Sequence, residues 1–228
     1  MISVLIPALN EADYVRSVVR RVANVLPGHE VLVIDGGSTD ATAVAARSEG
    51  ATVVRSTGSR GSSLNDAARL AHGEILLFLH ADTLLPPDAE AEIVRVLRDR
   101  RVVGGAFRMA FDDPSTVARY IAGWVNVRSR LFGVFFGDQA MFVRRRVFLL
   151  AGGFRDWSLM EDLEILRRLR RWGQLRITRA AIATSARRHL RDGWFRTTGT
   201  VWLVTWLYLI GVPVRILAAL YRRSPPTT

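Results

Sequence analysis

Glu74-Ile75-Leu76-Leu77-Phe78-Leu79-His80-Ala81-Asp82-Thr83-Leu84-Leu85-Pro86-Pro87 is the stretch from which the rest of the chain can be read. Ile75 to Leu79 is an unbroken apolar run, the pattern of a strand covered on both faces, as in a parallel sheet with helices above and below. His80 and Asp82 therefore stand at the carboxyl end of a buried strand, the edge where open α/β sheets bind ligands. One residue apart, they are candidates for a metal or phosphate site. Taken in isolation, an H-x-D is more simply explained by Asp82 capping the following turn and His80 bonding locally.

Upstream, a strand–helix rhythm leads to this run. Ile2 to Ile6 is a short apolar strand closed by Pro7, which cannot continue a central ladder. Asn10 is read as the N-cap of an amphipathic helix carrying Tyr14, Val15, Val18, Val19, Val22, Ala23 and Leu26 at helical spacing, and Pro27-Gly28 ends it. Glu30 to Ile34 is the second strand. Asp35 stands at its carboxyl end, and Gly36-Gly37 allows the backbone to pass close to a ligand before a helix that runs through Ala46. Ala51 to Val54 and a helix across Leu64 to Ala71 complete a half-barrel of parallel strands with crossover helices, the Rossmann-like α/β class. No G-x-G-x-x-G follows the first strand, and a chain without lysine has no P-loop, so a dinucleotide oxidoreductase or P-loop enzyme is a poor fit.

The 228 residues are 49% hydrophobic, enough for one domain with a sizeable core plus an appendage. The absence of cysteine excludes disulfide and thiolate chemistry, and Met1-Ile2-Ser3-Val4 shows neither a basic leader nor a cleavable apolar segment, so the expected address is cytoplasmic. The net charge of +11 is uneven: residues 1 to 94 hold seven arginines against twelve acids, residues 95 to 228 twenty-five against nine. A basic rear half of this kind meets phosphate-bearing lipid, nucleic acid or an anionic substrate, or is a set of solvated helix faces.

Pro7-Ala8-Leu9-Asn10-Glu11, Val33-Ile34-Asp35-Gly36-Gly37-Ser38-Thr39-Asp40 and Phe78-Leu79-His80-Ala81-Asp82-Thr83-Leu84-Leu85-Pro86, in this order and at these intervals, resemble the successive signatures of family 2 glycosyltransferases with the GT-A fold. The nearest likeness is to a short bacterial branch in which H-A-D replaces D-x-D. Gly104-Gly105-Ala106-Phe107, Gly137-Asp138-Gln139-Ala140-Met141-Phe142, Gly152-Gly153-Phe154 and Met160-Glu161-Asp162 continue the resemblance over roughly residues 2 to 190.

The resemblance implies a GT-A-like, mostly parallel sheet over residues 1–190, flanked by helices, and an aromatic-rich helical appendage over 191–228. It further implies a transferase that moves a sugar from a nucleotide-diphosphate sugar to an acceptor hydroxyl, metal-dependent and inverting. Asp35 would hold the nucleobase and Glu11 the ribose or base, with Pro7, Asn10, Gly36 and Ala81 lining the nucleotide and Arg60 near the base or diphosphate. The branch often carries Gln where this chain has Ser63. Asp82 would bind the Mn²⁺ or Mg²⁺ that bridges the diphosphate; His80 replaces a carboxylate and is a poorer magnesium ligand, better tolerated by manganese. His189 is the candidate late metal ligand. Gly105 would border the donor sugar, where Asp138 and Gln139 could bond hydroxyls.

Glu161-Asp162 supplies the catalytic candidates, Asp162 as the base that takes the acceptor proton and Glu161 as a neighbour that binds the acceptor or fixes the loop. They open a helix with Leu163, Leu166 and Leu169 inward and Arg167, Arg168, Arg170 and Arg171 outside. Residues 115 to 132 form an aromatic-bearing helix assigned to the acceptor side. Beyond a strand from Leu175 to Ala183, Val201 to Val214 is apolar but shorter than the roughly 20 residues a spanning helix needs, and is interrupted at Gly211 and Pro213. With Arg215 and Arg222-Arg223 following, the helices there pack on their own domain, on a homodimer mate, or on a membrane surface at the inner face of the cell membrane. Two rival readings of the whole chain are a nucleotidyltransferase and a noncatalytic membrane-surface or nucleic-acid binder; no specific nucleic acid is expected.

Overall fold

The computed structural model describes residues 1–157 and 159–222, the side chain of Arg222 excepted. Arg223, half of the terminal arginine pair, lies outside the described residues. Among the described residues the strands are β1 (Ile2–Ala8), β2 (Glu30–Asp35), β3 (Thr52–Arg55), β4 (Ile75–Phe78), β5 (Thr83–Leu84), β6 (Val102–Phe111), β7 (Phe142–Arg144) and β8 (Gln174–Thr184). They form one sheet in the order β3-β2-β1-β4-β7-β6-β8-β5. The first four strands are parallel to one another, as are β6 and β8. Strand β7 runs antiparallel to β4 and β6 and joins the two halves, and β5 is antiparallel to β8.

Period-two alternation distributes the core to both faces of the sheet. Val4, Ile6, Leu77 and Leu79 pack with α1 (Ala12–Val25) and α4 (Ala89–Leu97). Leu5, Leu76 and Phe78 pack on the other face with α3 (Arg60–Leu70), α6 (Arg145–Leu150) and α7 (Glu161–Leu169). Continuous apolar strands in the sequence are thus strands buried from both sides. Helix α2 (Thr42–Ser48) follows β2, and α5 (Thr116–Phe132) follows β6 with Ser115 as its N-cap, accepting from the Ala118 N–H. The chain ends in α8 (Arg187–Asp192), α9 (Trp194–Leu209) and α10 (Val214–Arg222). Val204 of α9 and Leu217 of α10 join the same buried cluster as Phe154 and Leu163. Among the described residues no helix is long and apolar enough to cross a membrane.

Several local expectations are corrected. Strand β1 continues through Pro7 to Ala8, pairing with β2 as far as Asp35. Its pairing with β4 stops at Leu5, so the ring sits where that neighbour's ladder has ended and the missing donor costs little. Asn10 is not the cap of α1. It has φ +53, its Oδ1 accepts from the Thr39 N–H at 2.9 Å, and Glu11 occupies the N-cap position. Helix α3 starts at Arg60, earlier than the apolar period indicates, because Ser59 caps it by accepting from the Ser62 N–H. Arg168 is not outside: it pairs with Glu164, itself 1% exposed, at 2.5 Å, and donates to the carbonyls of Ala151 and Gly153.

Candidate active site

Two adjacent cavities open at the carboxyl edge of the parallel strands and share a wall of Arg60, His80 and Asp82. The smaller, about 380 Å³, is lined on its far side by Pro7, Glu11, Gly36 and Ala81, all expected from the sequence, and by Arg187. Gly36 is not required by the protein's own packing, since a Cβ there would meet nothing nearer than Ala8 O at 3.6 Å. Asp35 lies next to it in the chain, 1% exposed. Its Oδ1 accepts from the Ser38 N–H at 2.9 Å, while Oδ2 accepts no hydrogen bond and lies 3.9 Å from Arg55 Nε. Asn10 is exposed and ties the loop after β1 to the loop after β2 instead of lining the cavity.

At the shared wall, Arg60 donates to His80 Nε2 at 2.5 Å. Burial first, and the Arg60 charge second, hold the His80 imidazole down at about 3, so it is neutral and accepts through Nε2. A ligand role for His80 through that nitrogen requires Arg60 to give way. Asp82 faces Arg187, with Nη2 to Oδ2 at 3.2 Å, and the same Arg187 nitrogen donates to Glu11 Oε1 at 2.6 Å. The Arg187 guanidinium lies 4.4 Å from the centre of the Tyr14 ring. Burial pushes the Asp82 carboxyl up, Arg187 pulls it back and Glu11 adds to the rise. Arg187 was missed by sequence reasoning because it stands 176 positions from Glu11.

The larger cavity, about 610 Å³, has acids at its base and a largely apolar wall that includes Met109, Phe111, Trp157 and Val201. Asp162 Oδ2 accepts from the Gly137 N–H at 2.9 Å, and Glu161 Oε1 lies 3.8 Å from Arg60 Nη1. Burial and the adjacent Asp162 push the Glu161 carboxyl up to about 7, and Arg60 opposes the shift. Asp138 also lines this cavity; burial raises it to about 6 against the pull of Arg128, and its Oδ1 has no hydrogen-bond partner. The loop before α7 is pinned from two directions. Asn65 accepts from the Phe154 N–H and donates to its carbonyl, both at 2.8 Å, and Glu164 accepts from Arg155 Nε at 3.0 Å as well as from Arg168.

Gly105 and Gln139, like Asn10, are not among the residues that line either cavity. A Cβ on Gly105 would lie 1.9 Å from the Arg176 carbonyl, so this glycine lets β6 and β8 approach closely. Gln139 is fully buried, donating to Phe107 O at 3.1 Å and accepting from Ser129 Oγ at 2.9 Å; both ends of its amide are consumed in holding the turn against β6 and α5. His189 lines the larger cavity, stacked on Trp194 with centroids 4.8 Å apart and edge-on to Phe111, and burial holds it down at about 4. Gly137 is a participant that the motif reading named without a role. A Cβ there would lie 2.9 Å from Arg60 Nη2, 3.0 Å from His80 Nε2 and 3.2 Å from Asp162 Oδ2.

A divalent cation is the group this kind of site implies. Among the described residues no group of three or more His, Asp or Glu side chains could enclose one. Asp82 alone presents a carboxylate at the shared wall, which fits an ion clothed otherwise by phosphate oxygens and water, the usual magnesium arrangement. It does not fit an ion held by protein alone.

An α/β sheet with a reversed joining strand and a pair of cavities meeting at its carboxyl edge is the architecture of the GT-A glycosyltransferases. The chain belongs to glycosyl transferase family 2, whose sequence model matches residues 3–151. It is 36% identical over 98 residues to glucosyl-3-phosphoglycerate synthase of Mycolicibacterium smegmatis, covering 38% of this chain and 32% of that protein. The match therefore spans about a third of the relative's length. In fold it is similar to a mannosyltransferase from Pyrobaculum calidifontis solved with GDP-Man and Mn²⁺, with TM-score 0.71 and 23% identity over 89% of this chain and 61% of the other. It is also similar to glucosyl-3-phosphoglycerate synthase from Mycobacterium tuberculosis in complex with phosphoglyceric acid, with TM-score 0.63 and 21% identity over 93% and 81% of the two chains. Family membership decides against the nucleotidyltransferase and noncatalytic readings.

Proposed function

We propose that the chain transfers a sugar from a nucleoside-diphosphate donor to an acceptor hydroxyl with inversion at the anomeric carbon. The observation that carries this reading is the shared wall. A nucleotide-sized cavity behind Arg60, His80 and Asp82 and an acid-based cavity in front of them leave the donor's diphosphate to cross that wall. Pro7, Glu11, Gly36, Ala81 and the nearby Asp35 then hold the nucleoside, and Arg60 and Arg187 face the diphosphate as fixed cations.

In this reading Asp162 takes the proton of the acceptor hydroxyl as its oxygen attacks the anomeric carbon; the bond from that carbon to the diphosphate oxygen breaks, and the electron pair leaves with the diphosphate. The Gly137 N–H orients the Asp162 carboxylate. Glu161, held largely neutral by its surroundings up to about pH 7, gives the acceptor a hydrogen-bond donor without a second negative charge beside the base. A Mn²⁺ or Mg²⁺ ion bound through Asp82 supplies Lewis-acid stabilisation of the departing charge. The mannosyltransferase solved with GDP-Man and Mn²⁺ supports the donor class and the cation, and the synthase solved with phosphoglyceric acid supports a polar, oxygen-rich acceptor.

The test is a thermal-shift panel of UDP-, GDP-, dTDP- and CMP-linked sugars with and without Mn²⁺. The expected result is stabilisation by one donor family, enhanced by metal. No response to any of them contradicts the reading.

A further inference from the structure

Helix α9 has two unlike faces. Thr197, Val201 and Val204 look into the larger cavity, while Phe195, Leu203, Trp206 and Ile210, on the opposite side, look into solvent; Phe195 is 78% and Ile210 71% exposed. Between Arg196 and Arg215 the sequence contains no charged residue. A surface helix ordinarily turns its polar residues outward, and α9 turns apolar ones.

Helix α5 repeats the anomaly. Tyr120, Trp124, Val127 and Leu131, at spacings of four, three and four, form one stripe along the helix, and all are exposed, Leu131 by 69%. Trp124 meets Trp202 of α9 edge-on with ring centroids 6.2 Å apart, and a groove of about 440 Å³ between the helices is walled by Tyr120, Trp124, Phe195 and Trp202. The two stripes are one apolar, aromatic face. Contiguous faces of this kind mark contact surfaces, whereas single exposed apolar residues do not.

Charge narrows the choice of partner. Residues 115–133 and 193–222 contain six arginines and neither aspartate nor glutamate. Arg119, Arg130 and Arg215 are exposed, while Arg128 is buried under the Phe136 ring at 4.6 Å. Stacking this face on a second copy would oppose arginines to arginines with no acid from α5 or α9 between them. An anionic bilayer offers the complement: phosphates for the arginines, and a headgroup region where Trp and Tyr rings settle.

We propose that the joint outer face of α5 and α9 docks the protein on an anionic lipid surface, lying in the headgroup layer. No described helix is long enough to cross, so the attachment is peripheral. Docking sets the larger cavity, whose wall is the inner face of the same α9, beside the lipid.

The experiment is co-sedimentation of the full chain, without donor, with phosphatidylcholine vesicles and with phosphatidylcholine–phosphatidylglycerol vesicles, alongside tryptophan emission. The expected result is binding to the anionic vesicles with a blue shift, at least about tenfold weaker binding to neutral vesicles, and loss of binding with added salt. The double variant Leu203→Glu/Trp206→Glu, which alters only exposed side chains, is expected to lose about tenfold or more in vesicle affinity while keeping its melting temperature. Trp172→Glu, at an exposed tryptophan outside α5 and α9, is expected to bind as the parent does. Absent binding to anionic vesicles, equal binding by the double variant, or a stable solution dimer that the double variant dissociates would each overturn the proposal, the last by giving the face to a second copy. Because vesicle binding is read without nucleotide sugar, failure here leaves the donor panel untouched, and failure there leaves this result standing.

Discussion

The Gly137 amide donates to Asp162 Oδ2 at 2.9 Å, and a Cβ at Gly137 would fall within 3.2 Å of Asp162, His80 and Arg60 together. One backbone position thus touches the acid of the larger cavity and two of the three residues of the shared wall. Gly137→Ala is expected to displace that cluster without disturbing the core. Turnover should fall by about 100-fold, the scale of a misplacement of about an ångström in a preorganised site, with a melting temperature near the parent's. Steady-state kinetics beside a thermal melt checks this; unchanged turnover would remove Gly137 from the site.

Glu161 and Asp162 predict a pH signature. The folded protein holds the Glu161 carboxyl up at about 7, above its ordinary range, so folding favours the protonated form. The stability Glu161 contributes is therefore full below the ordinary carboxylate pKa and is lost as pH rises to about 7. Glu161→Gln should flatten this part of the stability–pH profile. Asp138, also raised, to about 6, leaves a residual slope in the variant. Melting temperatures of both proteins between pH 4.5 and 8 measure the difference; parallel profiles would contradict the assignment.

The buried Glu164 cluster is expected to matter for stability more than for chemistry. Replacing Glu164 with Gln leaves Arg168 partly buried beside the carbonyls of Ala151 and Gly153 without its counter-charge, a loss of about 3 kcal/mol. Denaturant titration reads it directly. A loss well under 1 kcal/mol would show that the pair is dispensable.

Gly36 and Gly105 differ in what the packing asks of them. Gly36→Ala meets only ordinary contacts and should change stability by less than about 1 kcal/mol while weakening donor binding. Gly105→Ala drives a Cβ into the Arg176 carbonyl and should unfold the protein or destabilise it by more than about 3 kcal/mol. Thermal melts with and without donor distinguish the two; the opposite ranking would contradict the geometry.

These two glycines also show how far the sequence is legible. The strands β1, β2 and β4 and the helices between them follow from apolar runs and helical spacing, because each is set by residues close in the chain. Glu11, Arg60, Asp82 and Asp162 could be named because each sits in a local motif. Arg187 could not, because its partners Glu11 and Asp82 stand far from it in the chain, and nothing in Arg187-Arg188-His189 distinguishes it from the many solvated arginines around it. Gly105 and Gln139 sit in motifs as convincing as the others, yet strand approach and a buried amide clamp account for them. Arg168 reads as a surface charge on helical spacing alone, and is drawn inward by the carbonyls of a loop that spacing does not describe.

On the proposed mechanism, donor binding and proton removal are separate tasks on the two sides of the shared wall, with Asp162 as the base. Asp162→Asn with donor affinity and turnover measured on the same preparation tests it most directly. The expected result is a donor dissociation constant within about twofold of the parent's and turnover lower by about 100-fold or more. Undiminished turnover in Asp162→Asn would contradict it.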